Sequence, residues 1–107
     1  MSKSKVVIIL ANPSIDVIKT GILFGSNASK YNWFDDVKFF LIGESENTIL
    51  GNDELVNALK ELEAVACKFV AKEKGIDQIY KEKGFKLEYI GEPLSNLINN
   101  GYVPMVF

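Results

Sequence analysis

The sequence predicts an α/β protein: a three-layer α/β/α sandwich around a mostly parallel five-stranded sheet. Three observations predict it. Short β-branched or aromatic runs alternate with segments of helical periodicity along the whole chain. The first run, KVVIILA, is apolar without alternation, as a strand covered on both faces requires. At 107 residues and 48% apolar content the chain makes one domain (1–107) with a core large enough to need no staple.

Each element has a local reason. Lys5 to Ala11 forms the first strand and stops at Asn12-Pro13. Ser14 offers an N-cap, and Ile15, Ile18 and Ile22 recur at helical spacing to about Lys30. Gly21 and Gly25 lie four apart on that helix, and each costs about 1 kcal/mol against alanine. Their expected purpose is close approach to the sheet or a flat face for a neighbouring subunit. Trp33-Phe34 reads as a plug between helix and strand. Val37 to Gly43 (VKFFLIG) is a second strand. Asn52 or Asp53 caps a second helix with a Leu55, Leu59, Leu62 stripe. Ala64 to Cys67 is a short third strand. No Gly or Pro separates it from the preceding helix, so a helix running through Cys67 is the alternative. Lys68 to Lys74 is helical up to Gly75, with one or two further turns before Gly84. Lys86 to Gly91 (KLEYIG) is a fourth strand. Leu94, Leu97 and Ile98 mark a helix ending at Gly101, and Tyr102 to Phe107 a fifth strand. Pro104 places that last strand at an edge, because proline cannot donate to a central ladder. Strand order is left open by these signals.

Composition excludes much chemistry. There is no histidine, which removes imidazole bases, Ser-His and Cys-His pairs and histidine metal sites. All 12 basic residues are lysine, so no guanidinium can grip phosphate or guanine. With a net charge of −2, nucleic acid is not an expected partner. One cysteine allows neither an intrachain disulfide nor a multi-cysteine zinc site. No metal and no organic cofactor is expected. The apolar run Val6 to Ala11 is too short for a signal-peptide core or a membrane span, and a lone thiol suits a reducing cytoplasm.

Ligand sites on open parallel sheets gather beyond the carboxyl ends of the strands. Four segments arrive there: Asn12-Pro13-Ser14, Gly43-Glu44-Ser45, Cys67-Lys68 and Gly91-Glu92-Pro93. Asn12, Pro13, Ser14, Glu44, Gly91 and Glu92 are therefore the expected pocket rim. Cys67, at a strand end and a helix start, is the candidate nucleophile. Backbone N–H groups, Lys68 and the lysine-rich stretch from Cys67 to Lys86 favour its thiolate, and such a thiol should be open to solvent. Lys68 is the candidate electrostatic support. Each feature has a plainer reading. Ala-Val-Ala-Cys suits a packed, inert thiol, and the lysines a solvated helix face. Asn12-Pro13-Ser14 suits a turn and a cap, without the glycine pattern of a phosphate loop. A flavin or nucleotide site on such a sheet is correspondingly weak. Glu44 and Glu46 suit charges on a rim.

The pieces KVVIILANP, VKFFLIGE, ACKFVA and YIGEPLSNLINNGYVPMVF together resemble the DsrE/DsrF-like family, in order along nearly the whole chain. Ala66-Cys67-Lys68 and the tail from Gly91 are the most specific pieces. The resemblance implies a small cytoplasmic α/β protein of sulfur relay or intracellular sulfur reduction, assembled as a trimer or hexamer. It implies that Cys67 holds sulfane sulfur as a persulfide and passes it to a partner thiol. The partners would be sulfur donor and acceptor proteins or small persulfides, with neither nucleic acid nor a membrane. Two departures stand out: ELEAVACK lacks the glycine turn common before this strand, and there is no second cysteine. The alternative is a non-catalytic oligomeric binding or redox-sensing module whose cysteine is structural.

Overall fold

A computed structural model describes residues 3–107. Five strands form one sheet in the order β4-β3-β2-β1-β5, with every neighbouring pair parallel. They are β1 (Lys5–Leu10), β2 (Asp36–Leu41), β3 (Val65–Cys67), β4 (Lys86–Glu88) and β5 (Tyr102–Val106). Six helices connect them: α1 (Ile15–Lys30), α2 (Ser45–Leu50), α3 (Asp53–Glu61), α4 (Lys68–Glu73), α5 (Asp77–Glu82) and α6 (Gly91–Asn99).

The handedness of parallel crossovers explains the layering. β1 to β4 advance across the sheet in one direction, so right-handed connections place α1 to α5 on one face. β5 returns to the far side of β1, so its connection carries α6 to the other face. The register separates the two faces. Val6, Ile8 and Leu10 of β1 lie in the main core with Phe39, Leu41 and Ala66. Val7 and Phe40, which alternate with them, are buried on the α6 side. The sandwich is therefore lopsided. No residue of α6 is fully buried, whereas α3 buries Leu55, Val56 and Leu59.

Caps and turns account for most boundaries. Ser14 Oγ accepts from the Val17 N–H at 3.3 Å, and Asn52 Oδ1 accepts from the Leu55 N–H at 3.1 Å. The glycines of α1 serve the sheet. A Cβ at Gly25 would stand 2.2 Å from Phe39 Cζ, and one at Gly21 would stand 2.6 Å from Leu10 Cδ2. Both are buried against their own sheet, so they do not supply a flat face for another subunit.

Several sequence expectations change. A helix not foreseen, α2, fills the segment between β2 and α3. The chain does turn between α3 and β3, and the missing glycine is replaced by Glu63 in the left-handed region at φ 57°. β4 ends at Glu88, and Gly91-Glu92-Pro93 forms the first turn of α6 instead of a strand end. Of the expected plug, Phe34 packs on the core while Trp33 stays half exposed beside Phe24 and Tyr31. No helix among the described residues is long and apolar enough to cross a membrane.

Candidate functional site

The carboxyl edge of the sheet divides into two neighbourhoods. The first lies beyond β1 and β2. Asn12 Oδ1 accepts from the Ser14 N–H at 2.8 Å, fixing the turn that feeds α1. Ser45, wholly buried, donates its hydroxyl to the Leu10 carbonyl at 2.6 Å, satisfying a strand-end acceptor. Thr48 donates to the Pro13 carbonyl at 2.8 Å. The two loops are thus tied by side-chain hydroxyls from the first turn of α2. Glu44 stands at the surface and pairs with Lys74, with Nζ 2.7 Å from Oε1. Glu46, by contrast, is not a rim charge: it is wholly buried.

The second neighbourhood lies beyond β3 and β4. An open cleft of about 510 Å³ is lined by Lys68, Tyr89, Glu92, Pro93 and Asn96, among others. The Lys68 ammonium sits 5.3 Å from the centre of the Tyr89 ring, and Lys72 Nζ lies 3.4 Å from the Tyr89 hydroxyl. Cys67 ends β3 and is the N-cap residue of α4. It is 5% exposed, and the lining of the neighbouring cleft does not include it. The expectation of a solvent-open thiol is therefore corrected. Val65 and Cys67 alternate with core-facing Ala66, and Cys67 is buried at this strand end.

Of the expected rim residues Glu92 lines this cleft, together with Lys68, the expected electrostatic support. Asn12, Pro13, Ser14 and Glu44 belong to the first neighbourhood, and Gly91 opens α6. A single pocket joining all of them with Cys67 is not formed. A further cleft of about 370 Å³ lies on the α6 side, lined by Lys38, Phe40, Val65, Lys86, Glu88 and Leu97 among others. Near it, the Tyr102 hydroxyl donates to Asp36. Burial pushes the Asp36 carboxyl up, but Tyr102 and Lys38 outweigh it and hold it below its usual range. The same bond pushes the Tyr102 hydroxyl up to about 12. Among the described residues no cluster of acids and thiol has the makings of a metal site.

The residue that sequence reading placed wrongly is Glu46. Both of its carboxylate oxygens lack a hydrogen-bond partner among the described residues. Burial, opposed weakly by Lys74, pushes its carboxyl up to about 8. The Tyr80 hydroxyl donates to the Glu46 backbone carbonyl at 2.8 Å, and burial followed by the Glu46 charge pushes that phenol up as well. A signal for this was present: Glu46, Ile49 and Leu50 follow helical spacing, which puts the acid on the apolar face.

No protein-family model matches the chain, and no curated protein is similar to it. The solved structure of a conserved protein of unknown function from Bacteroides thetaiotaomicron is similar in fold. It superposes with a TM-score of 0.83 at 19% identity, over 97% of this chain and 95% of the other. That likeness defines the class as a small parallel α/β fold.

Proposed function

We propose that this protein is a non-catalytic, self-associating binding module of DsrE-like architecture in which Cys67 is a structural residue. The observation that carries this reading is the burial of Cys67 at 5% exposure. A thiol that exchanges sulfur with a partner must meet that partner's sulfur in line, which a closed strand end prevents. The thiol also packs where small apolar side chains are needed, as buried cysteines commonly do. Native and denatured alkylation rates test this: slow reaction in the folded protein and fast reaction in denaturant support it.

Self-association is supported by the uneven layering. β5 is an edge strand bearing Val103 and Val106 at 50% and 67% exposure, and nearby α6 leaves Ile98 exposed. Pro104 interrupts the edge ladder, so contact between copies would run through side chains and not through strand addition. A trimer or hexamer in a reducing cytoplasm is the assembly proposed. Light scattering at micromolar concentration is expected to give a multiple of 11.9 kDa, and Val106→Lys to shift it toward the monomer. A monomeric wild type would contradict this part of the reading.

One observation favours a second reading, a DsrE-like sulfur carrier. Cys67 ends its strand at the carboxyl edge, next to Lys68 and the cleft that Lys68 shares with Tyr89. In that reading the Cys67 thiolate attacks the outer sulfur of a donor R–S–SH. The S–S bond breaks, RS⁻ leaves, and Cys67–S–SH remains to pass its outer sulfur to an acceptor thiolate. Lys68 would steady the anionic sulfur, and the α4 turn would have to open first.

A further inference from the structure

Lys68 and Lys72 stand four residues apart on α4, and so on one face of it. Both ammonium groups gather at one ring: Lys68 Nζ lies 5.3 Å and Lys72 Nζ 6.0 Å from the centre of Tyr89. Neither has a carboxylate within ion-pair distance among the described residues. Two like charges at this helical spacing repel each other, and an anion placed between them turns that repulsion into attraction. The Tyr89 hydroxyl accepts from Lys72 Nζ at 3.4 Å, which leaves its own proton free to donate. Asn96 of α6 lines the same cleft and brings a side-chain amide.

We propose that this cleft, at the carboxyl ends of β3 and β4, binds a small phosphate monoester, with Lys68, Lys72 and Tyr89 on the phosphate and the organic part against Leu87 and Pro93. The placement of the donors decides the class. A phosphate monoester concentrates a charge of about −1.5 to −2 on one tetrahedral group at neutral pH. That matches donors gathered around a single ring, whereas a dicarboxylate divides its charge between two ends. Lysine holds phosphate as a point charge, so a chain without arginine can still do this. The volume of about 510 Å³ is that of a small-molecule site. Glu88 and Glu92 line the same cleft and repel a longer polyanion, which limits the ligand to one phosphate. The assignment rests on the binding-module reading and gives that module its ligand class; the Cys67 thiol takes no part in it.

Nitrogen-15 NMR titration of the full chain with phenyl phosphate at about pH 7.5, where the dianion prevails, tests the site. The amide signals of Lys68, Tyr89 and Asn96 are expected to shift and saturate. Phenol, the neutral analogue, should give no saturation, and inorganic phosphate a weaker response. Lys68→Met and Lys72→Met should each weaken binding about threefold. The double variant should lose it while signals outside the cleft stay in place. The proposal is overturned if phenyl phosphate gives no saturating shifts there, or if the double variant responds like wild type. Equal shifts from chloride at matched ionic strength, or from inorganic phosphate at equal concentration, would overturn it as well. A failed titration with folded Cys67 inert toward polysulfide ends this assignment alone, whereas sulfur uptake by folded Cys67 ends the binding-module reading itself.

Discussion

Raising the pH from about 5 to about 8 is expected to weaken the folded state by about 1.4 kcal/mol per unit through Glu46 alone. The direction follows from proton counting. In the unfolded chain this carboxyl titrates near its ordinary value of 4.5, whereas in the fold burial holds it up to about 8. Below the lower value both states carry the proton, and the group contributes its full stabilisation. Between the two values the folded state keeps a proton that the unfolded state has released, so stability falls as pH rises. Above the upper value both states are ionised and the slope vanishes. The total is about 5 kcal/mol, a large share of the stability of a domain this small. Glu46→Gln preserves the shape of the neutral acid and cannot ionise, so its urea midpoint should stay level over the same range. A wild type whose midpoint does not fall across that window would contradict the assignment.

Tyr80→Ala is expected to cost about 3–5 kcal/mol, the largest effect of any single truncation considered. Tyr80 is wholly buried, and its ring meets Phe85 edge-on with centroids 5.1 Å apart. Its hydroxyl also serves the Glu46 carbonyl, at the start of α2. Removing the ring leaves a cavity in the core and takes away a buried hydrogen bond beside it. Tyr80→Phe separates the two contributions. It keeps the ring and removes only the hydrogen bond, so it should cost about 0.5–1.5 kcal/mol. Denaturant unfolding of both variants at about pH 6, where Glu46 stays neutral, reads the difference. A Phe variant as stable as wild type would mean that this hydrogen bond contributes nothing net to the fold.

The outline of the fold was legible because hydrophobic period and punctuation agree along most of the chain. KVVIILA could be little else than a covered strand, and Ser14, Gly75, Gly84 and Pro104 mark the boundaries they usually mark. Where reading failed, a residue type was doing another's task. Glu63 adopts the left-handed turn expected of glycine, so the α3–β3 break carried no glycine signal. Glu46 lies in the core, where a lone acid is rarely found, so its charge hid a helix whose spacing was otherwise visible. Strand order, and with it the lopsided layering, is a property of pairing that no local pattern records. The site was half legible for the same reason. The sheet's carboxyl edge gathers the expected loops, but which side chains share a cleft depends on where the helices sit against the strand ends, which no local pattern records. Lys68 and Glu92 share one cleft, Asn12, Pro13, Ser14 and Glu44 stand apart from it, and Cys67 is buried.

The accessibility of Cys67 is the point on which the functional reading turns, and intact-mass spectrometry after exposure to inorganic polysulfide measures it most directly. Burial at 5% exposure predicts that the folded protein stays unmodified over a time in which the denatured chain is fully converted. Cys67→Ser should then change neither the assembly nor the mass profile of the folded protein. An adduct of about 32 Da per sulfur on the folded protein, reversed by reductant and absent from Cys67→Ser, would contradict the binding-module account and establish the sulfur carrier in its place.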